Sequence, residues 1–436
     1  MTRFHRAALA IALICLSSLA ANPSRADDWP QWRGPNRDGV WHETGIVDKF
    51  KDKQLKLDWH VEIGSGYSGP TIADGRVFVT DRLVEPTQVE RVHCFDWKTG
   101  HELWTHVYDC RYSGVGYEAG PRAAVTIDDG RAYALGSMGN LHCLDVAKGR
   151  VLWKKDLLKE YQIQMPIWGI AAAPLVDGQL VIVQVGGEKA CIVAFDKVTG
   201  DEKWKSLDDR ASYSAPIIVQ QAGHRVLVCW TGDSIAGLDP ESGKVFWRHP
   251  FKPSRMVLNV ATPVAHDDRL FLTAFYDGSM MLRLDQKKLE VEELWHKVGR
   301  DEQSTKALQS IIGTPYFDGP NVYGVDSYGQ LRCLDAATGE RIWESQAAVP
   351  KARWATIQMV KNGDRMFLFN ERGQLIIATL SPDGYHEISR TQVIEPTTGQ
   401  LPQRGGVCWS HPGFAYKHIF ARNDHELVCG NLAAGE

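Results

Sequence analysis

The chain lacks the short motifs that mark several common enzyme classes. Its 436 residues contain no H-E-x-x-H metalloprotease motif, no G-x-S-x-G nucleophile elbow, no phosphate-binding P-loop and no C-x-x-C-H haem-attachment motif. Its histidines are scattered, without a partner at metal-ligand spacing. Asp128-Asp129 and Asp267-Asp268 fall in predicted hairpin turns, where no loop gathers the roughly six to eight oxygen donors that calcium prefers. The sequence therefore gives no direct indication of catalysis by these routes.

The chain also has no excess of basic residues and no long apolar run. The 49 Lys and Arg against 53 Asp and Glu give a formal net charge of −4, which argues against a nucleic-acid partner and a polybasic membrane anchor. The apolar run 7–21 is too short to span a bilayer comfortably. It follows Arg3 and Arg6 and precedes Ser24-Arg25-Ala26, which is the pattern of a secretory signal peptide over residues 1–26, cleaved after Ala26. We therefore expect a periplasmic or extracellular protein without a transmembrane segment.

Cysteine is present, but not in the pattern of a disulfide framework. Eight of the nine cysteines remain after the expected cleavage. Cys94, Cys143 and Cys333 occupy the same position of an internal repeat, so they are expected to lie far apart as small buried apolar side chains. Export permits disulfides, and a pairing between two of the others, such as Cys408 and Cys429, stays open.

One repeated motif organises the chain. Segment 331–343, LRCLDAATGERIW, contains an alternating strand that ends at Asp335, a turn closed by Thr338-Gly339 and a second strand that ends at Trp343. The aspartate can accept backbone N–H groups of the turn, and the glycine supplies a positive φ. The tryptophan offers a large rigid surface to the next repeat. Related units, the last of them degraded, end at Trp104, Trp153, Trp204, Trp247 and Trp295.

A second hairpin with alternating apolar and polar residues precedes each motif. Its copies occupy 69–80, 123–136, 172–184, 215–230, 261–275, 313–326, 357–370 and 409–422. Four strands in about 45–50 residues make one propeller blade. The sequence thus predicts an all-β fold, an eight-bladed β-propeller of four-stranded antiparallel blades over 55–436. The last repeat offers three strands, and the lone strand from Leu55 to Ile63 is expected to close the ring.

Residues 27–54 precede the predicted ring and show no clear period. This stretch is rich in tryptophan and contains several prolines and glycines. We expect an irregular segment that lies on the ring, anchored by Trp29, Trp32 and Trp41 covering apolar surface.

The repeat resembles that of the pyrroloquinoline-quinone (PQQ) type propellers. The pattern LDAATGERIW, in eight copies behind a secretion signal, is similar to the repeat of quinoprotein alcohol dehydrogenases. It is also similar to that of the propeller lipoprotein of the outer-membrane β-barrel assembly machinery. The resemblance covers about residues 55–432, and the opening DWPQWRGPNRDG resembles the mature start of secreted PQQ-like propellers. Because the repeat builds the scaffold, it indicates the fold and not the function.

The resemblance places the candidate site in the loops that enter the first strand of each blade, since in that family this strand lines the central channel. Polar and aromatic residues occur there without being required by the repeat. They predict a funnel for a planar anionic ligand or a peptide, although a wide channel mouth also collects polar residues without any such role. The set is Tyr67, Glu118, Arg122, Trp168, Tyr213, Asn259, Gln309, Arg353, Trp354, Arg404 and Trp409. The candidate cofactor- or ligand-binding residues are Glu118, Arg122, Trp168, Asn259, Trp354 and Arg404, and no catalytic residue or metal ligand is predicted.

Three functions remain open. Quinoprotein dehydrogenases typically carry adjacent cysteines over the cofactor and bind calcium through Glu, Asn and Asp. Here no two cysteines are adjacent, and Glu118 and Asn259 lack a convincing aspartate partner. The favoured hypothesis is a secreted, non-catalytic, monomeric platform without a cofactor, which binds an envelope protein, peptide or polymer. The alternatives are a dehydrogenase that uses PQQ and calcium, and a carbohydrate or small-ligand binder at the channel mouth.

Overall fold

The computed structural model describes residues 28–435, which form eight four-stranded antiparallel sheets. In seven sheets the strand order follows the chain order, and the first strands of several neighbouring sheets contact one another. The all-β, eight-bladed propeller predicted from the repeat is therefore confirmed. The predicted signal peptide 1–26 and its cleavage after Ala26 lie outside the described residues.

The strands are numbered here in chain order. The first four blades contain β2 (Thr71–Ala73), β3 (Arg76–Leu83), β4 (Val89–Asp96) and β5 (Glu102–Asp109); β6 (Thr126–Asp128), β7 (Arg131–Leu135), β8 (Asn140–Asp145) and β9 (Val151–Asp156); β10 (Leu175–Asp177), β11 (Leu180–Gly187), β12 (Ala190–Asp196) and β13 (Glu202–Ser206); β14 (Ile217–Gln221), β15 (His224–Trp230), β16 (Ser234–Leu238) and β17 (Val245–Pro250). Blades 5 to 7 contain β18 (Val264–His266), β19 (Arg269–Ala274), β20 (Gly278–Leu284) and β21 (Val291–Lys297); β22 (Tyr316–Asp318), β23 (Asn321–Val325), β24 (Leu331–Asp335) and β25 (Arg341–Ser345); β26 (Ile357–Asn362), β27 (Arg365–Asn370), β28 (Gln374–Ser381) and β29 (Gly384–Gln392). Blade 8 contains β30 (Gly413–Ala415), β31 (His418–Arg422), β32 (Glu426–Asn431) and, from the start of the chain, β1 (Leu57–Glu62).

The eighth blade combines both ends of the described chain. Strand β1 pairs antiparallel with β32, with Trp59 opposite Cys429 and Glu62 opposite Glu426. The strand begins at Leu57, slightly later than the pattern predicts. The indole Nε1 of Trp59 donates to the carbonyl oxygen of Trp97 in blade 1 at 2.8 Å. The first strand thus belongs to the same sheet as the last three and also contacts the following blade.

The Asp-turn-Trp motif is built as predicted, and the structure adds a reason for its glycine. Asp335 Oδ1 accepts the backbone N–H of Thr338 at 2.7 Å. Gly339 has a φ of 70°, and a Cβ placed there would lie 2.9 Å from the ring of Trp295 in the preceding blade. The indole of Trp295 also donates to the carbonyl oxygen of Ala336 at 3.0 Å. The same contact recurs for Trp59 on Gly100, Trp104 on Gly149, Trp153 on Gly200 and Trp204 on Gly243. Each of these tryptophans therefore covers the turn of the next blade.

Residues 28–56 form isolated bridges but no strand, and they lie against several blades. Trp29 pairs with Ile72 in β2, at N···O distances of 2.8 and 2.9 Å, and the carbonyl oxygen of Pro30 accepts a hydrogen bond from Ile127 in β6. Further along, the backbone N–H of Trp41 donates to β26. Trp29 and Trp41 are both buried. The segment therefore crosses the ring and contacts blades on opposite sides of it.

Helices contribute little to the described part of the chain. One α-helix, α1 (Leu157–Tyr161), follows β9, and a 3-10 helix spans Pro402–Arg404. No helix within residues 28–435 is long and apolar enough to cross a membrane.

All eight cysteines between residues 28 and 435 are buried and free. Cys94, Cys143 and Cys333 lie in the sheets of three different blades, as their repeat position predicts. The pairing of Cys408 with Cys429, which the sequence left open, is not formed.

Candidate functional site

A cavity of about 450 Å³ occupies the mouth of the central channel. All eight blades contribute to it through their entry loops or the residues just before their first strands, and the N-terminal segment contributes one tryptophan. We call this space the channel cavity. It is lined by Trp32, Tyr67, Tyr117, Arg122, Ala124, Ile167, Trp168, Ala171, Ala173, Tyr213, Ala215, Met256, Leu258, Val260, Thr262, Tyr276, Ile311, Ile312, Arg353, Trp354, Gln358, Trp409 and His411.

The floor of the channel cavity is made by Trp32. Its indole Nε1 donates to Thr262 Oγ1 at 2.8 Å, and its ring meets the edge of His411 at 4.6 Å between centroids. Burial lowers the pKa of His411 to about 4, so this imidazole is neutral near pH 7. Trp32 thus places a side chain of the N-terminal segment between residues just before the first strands of blades 5 and 8.

The walls are aromatic. Trp168 lies between two tyrosine rings, 5.1 Å from Tyr213 and 5.8 Å from Tyr117, and Tyr117 in turn lies 6.4 Å from Trp409. Burial raises the pKa of Tyr213 to about 12 and also raises that of Tyr67, so these phenols remain neutral. Tilted and edge-on rings at these distances present a rigid apolar surface with hydroxyl groups at its margin.

Arg122 brings a positive charge to this wall. Its guanidinium donates to the carbonyl oxygens of Gly116, Tyr117 and Gly120, at 2.8, 2.5 and 2.8 Å. It also lies over the ring of Tyr67, 4.9 Å from the centroid. No carboxylate in the described part of the chain forms an ion pair with it, so the entry loop of blade 2 holds an uncompensated cation against an aromatic face.

The second arginine of the lining, Arg353, is neutralised by a neighbouring acid. Its guanidinium makes two hydrogen bonds to Glu302, at 2.6 and 2.7 Å, and these bonds raise its pKa. The same guanidinium lies over Trp354, 4.4 Å from the ring centroid. Glu302 balances the charge of Arg353. The net positive charge of the cavity lining therefore comes from Arg122.

Three of the six candidate binding residues predicted from the sequence come together in the cavity lining. They are Arg122, Trp168 and Trp354. Four other residues of the predicted funnel join them, namely Tyr67, Tyr213, Arg353 and Trp409.

The other three candidates, Glu118, Asn259 and Arg404, do not line the cavity. The side chain of Glu118 is 63% exposed and lies 3.8 Å from Arg82. Asn259 is fully buried and donates to the carbonyl oxygen of Thr231 at 2.8 Å. Arg404 forms an ion pair with the buried carboxylate of Glu371, whose pKa is raised by burial. Asn259 and Arg404 are thus engaged by other protein groups, and Glu118 is exposed to solvent.

Sequence reasoning missed most of the apolar lining. Tyr117 and Tyr276 carry no repeat signal, and the aliphatic residues between 256 and 260 and at 311–312 look like ordinary loop or core positions. Trp32 stood out as one of a group of tryptophans, but an irregular segment has no register from which its place at the cavity floor can be deduced.

The residues present do not fit a calcium-bound quinone. The cavity lining contains no Asp or Glu, whereas calcium takes roughly six to eight oxygen ligands, carboxylates above all. Within residues 28–435 no group of three or more His, Cys, Asp or Glu side chains is placed to hold a metal ion. Glu118 and Asn259 lie outside the lining, and no two cysteines are adjacent. The lining instead suits an apolar or aromatic body that carries a negative charge or none.

The fold and its motif place the chain in the class of PQQ-type repeat propellers. A family model described as "Outer membrane protein assembly factor BamB" matches residues 88–345 and 299–429. The chain belongs to this family.

Curated relatives come from two functional groups. A lupanine 17-hydroxylase [cytochrome c] from Pseudomonas sp. is 23% identical over 428 residues, which cover 93% of this chain and 55% of that protein. A quinohemoprotein alcohol dehydrogenase from Comamonas testosteroni is 25% identical over 46% of this chain and 28% of its own length. An outer membrane protein assembly factor BamB from Burkholderia pseudomallei is 25% identical over 66% of this chain and 58% of its own length. The chain thus spans less than two thirds of the length of each of these relatives.

Solved structures from the same two groups share the fold. BamB from Moraxella catarrhalis superposes with a TM-score of 0.58 at 16% identity, covering 87% of this chain and 99% of that one. The Comamonas testosteroni quinohemoprotein alcohol dehydrogenase superposes with a TM-score of 0.64 at 14% identity, covering 94% and 81%. At these identities the likeness concerns the fold alone.

Proposed function

We propose that this protein is a non-catalytic binding protein of the cell envelope, whose channel cavity takes up an apolar or aromatic group of a partner or small ligand. The observation that carries this proposal is the cavity of about 450 Å³ with a largely aromatic and aliphatic lining that contains no carboxylate. A concave apolar site with a few convergent polar groups is typical of ligand binding. Burial of apolar surface there contributes roughly 25 cal/mol per Å², and the guanidinium of Arg122 favours a ligand group with negative charge.

The envelope location rests on two supports. The first 26 residues have the pattern of a secretory signal peptide, and the family is described by the name of an outer membrane protein assembly factor. An exported propeller with an open channel mouth on one face is suited to bind an envelope component there.

A dehydrogenase is the second candidate, and relatives named as a lupanine 17-hydroxylase and a quinohemoprotein alcohol dehydrogenase favour it. The donor set of the channel cavity counts against it, because an aromatic lining without carboxylates offers neither calcium ligands nor an acid–base pair. We therefore place binding before catalysis.

Filling the channel cavity is expected to weaken binding there. Ala171 lines the cavity and is only partly buried, so Ala171→Trp inserts an indole without disturbing a strand. The probe is 1-anilinonaphthalene-8-sulfonate, an aromatic anion that fluoresces when it leaves water. We expect the folded wild-type protein to bind it, and Ala171→Trp to bind it about tenfold more weakly. The measurement is a fluorescence titration.

The matched control is Val198→Trp, which adds the same indole at an exposed position outside the cavity and should bind like the wild type. Equal affinity in all three proteins would contradict the assignment of the cavity as a binding site.

The three proteins can then be immobilised and exposed to envelope extract; a partner bound through the cavity is retained by the wild type and the control but not by Ala171→Trp. Alcohol oxidation by the wild type that depends on added PQQ and calcium would overturn the non-catalytic assignment.

A further inference from the structure

A second cavity, of about 260 Å³, lies between the N-terminal segment and the first strands of blades 4, 5 and 6. One wall is polar and comes from residues 33–40 of the segment. The opposite wall is largely apolar and includes Ile218, Val264 and Phe317. We call this space the segment cavity. It shares no lining residue with the channel cavity.

The polar wall contains a buried arginine with a free donor. Arg33 is 7% exposed, its Nε donates to the carbonyl oxygen of Arg37 at 3.4 Å, and its Nη2 donates to that of Asp38 at 2.8 Å. Its Nη1 has no acceptor among residues 28–435, and no carboxylate there forms an ion pair with it. The exposed carboxylate of Asp38 instead accepts the backbone N–H of Val40. The carboxylate of Asp38 acts on the charge of Arg33 without forming an ion pair with it. A buried guanidinium is costly unless its donors are satisfied, so Nη1 of Arg33 is available to bond whatever occupies the cavity.

Arg37, the neighbouring buried arginine, shows what a purely structural role looks like here. Its Nη1 and Nη2 donate to the carbonyl oxygens of Ala173, Pro174 and Pro216, and its Nε donates to Gln31. All three nitrogens are therefore used: Nη1 and Nη2 attach the segment to the residues just before the first strands of blades 3 and 4, and Nε bonds within the segment. Arg33 lies in the same tight loop but keeps one nitrogen free.

The loop is held in a conformation that non-glycine residues rarely adopt. Arg33 and Arg37 have φ angles of 61° and 58°. A Cβ at Gly39 would lie 2.7 Å from Nη2 of Arg33, so this glycine makes room for the guanidinium. The free donor of Arg33 is thus positioned in advance.

A second donor faces the same space. Tyr316 lines the cavity, and its hydroxyl has no hydrogen-bond partner in the described chain. The ring of Phe317 lies beside that of His266, 5.4 Å between centroids, and extends the apolar wall. The volume suits a small molecule rather than a protein segment.

We propose that the segment cavity binds a small organic carboxylate. Arg33 and Tyr316 hold the carboxylate, since guanidinium–carboxylate hydrogen bonds are among the strongest in proteins, and the apolar body of the acid lies against Ile218 and Val264. This site goes beyond the function proposed for the channel cavity and uses none of its residues.

The test uses benzoate as the acid and benzyl alcohol as a neutral compound of similar shape. Calorimetric titration of the full-length protein is expected to show binding of benzoate and at least about tenfold weaker binding of benzyl alcohol. Arg33→Met should lower the affinity for benzoate about tenfold. Arg283→Met, which removes the same charge from an exposed strand position paired with Glu292, should leave it unchanged.

Because Arg33→Met could disturb the loop, a second variant tests the site from the opposite wall. Ala265 is an exposed lining residue, and Ala265→Trp fills the cavity without replacing Arg33; we expect benzoate binding to be lost. Equal binding of benzoate and benzyl alcohol, or wild-type affinity in either variant, would overturn the proposal. Tighter binding of inorganic phosphate than of benzoate would overturn the assignment to carboxylates. Ala171→Trp should retain benzoate binding, which separates this site from the channel cavity.

Discussion

Replacing Trp153 by alanine is expected to lower the free energy of unfolding by about 3–5 kcal/mol. The indole is 9% exposed and lies against Gly200 of the next blade, where an added Cβ would come within 2.7 Å of its ring. Its Nε1 donates to the carbonyl oxygen of Lys197 at 3.2 Å. Its removal leaves a void between blades 2 and 3 and takes one of two hydrogen bonds from the carbonyl oxygen of Lys197, which also accepts from the hydroxyl of Tyr133 at 2.9 Å. Chemical denaturation followed by circular dichroism measures the loss.

The adjacent residue supplies the control for this experiment. Leu152 precedes Trp153 on β9, points to the other face of the strand and is 49% exposed. Leu152→Ala should change the stability by less than about 0.5 kcal/mol. A loss below about 1 kcal/mol for Trp153→Ala would contradict the role of these tryptophans in blade–blade contact.

The fold could be predicted because its information is local and repeated. Asp335, Gly339 and Trp343 lie within one hairpin, and each makes contacts that its own residue type and spacing indicate. Repetition along the chain then gives the number of blades. The sequence predicted that each tryptophan packs against the next repeat. It did not predict that the glycine of that repeat is the residue the tryptophan contacts.

The channel cavity could be predicted in part. The entry loops were located correctly from the repeat, and Arg122, Trp168 and Trp354 lie in the cavity lining. The repeat does not specify where a loop side chain points. Asn259 turns inward to a carbonyl oxygen 28 positions earlier in the sequence, and Glu118 turns to solvent. Such directions depend on partners from other loops, which a single sequence does not identify.

The sequence predicts that the N-terminal segment lies on the ring, but its individual contacts could not be predicted, for a related reason. Arg37 reaches carbonyl oxygens that are 136 to 179 positions away in the sequence, and Trp32 reaches Thr262 across 230 positions. Neither contact follows a periodic pattern. The segment therefore supplies the floor of one cavity and the polar wall of the other through contacts that only the folded ring creates.

Blade 8 and blade 1 are joined by a buried arginine. Arg422 in β31 is 1% exposed. Its Nη1 donates to the carbonyl oxygen of Thr80 in β3 at 2.8 Å, its Nη2 to that of Gly64, and its Nε to that of Asn423 at 2.9 Å. Burial lowers its pKa to about 10, which still leaves it charged near pH 7. A single side chain thus satisfies carbonyl oxygens on both sides of the junction between the ends of the ring.

Arg422→Met is therefore expected to destabilise the protein by about 3 kcal/mol or more. Methionine has a similar length but no donor, so the carbonyl oxygens of Asn423 and Gly64 lose the hydrogen bond from residue 422, at about 1–3 kcal/mol each. The carbonyl oxygen of Thr80 loses one of two side-chain donors, since it also accepts from Ser68. Arg300→Met is the control, since that side chain is 83% exposed and bonds only to its own loop, and it should cost less than about 1 kcal/mol. Hydrogen exchange should show the loss first in β1 and β32, because their pairing depends on this junction. Equal stability of the two variants, or uniform exchange around the ring, would contradict the role of Arg422 in closing it.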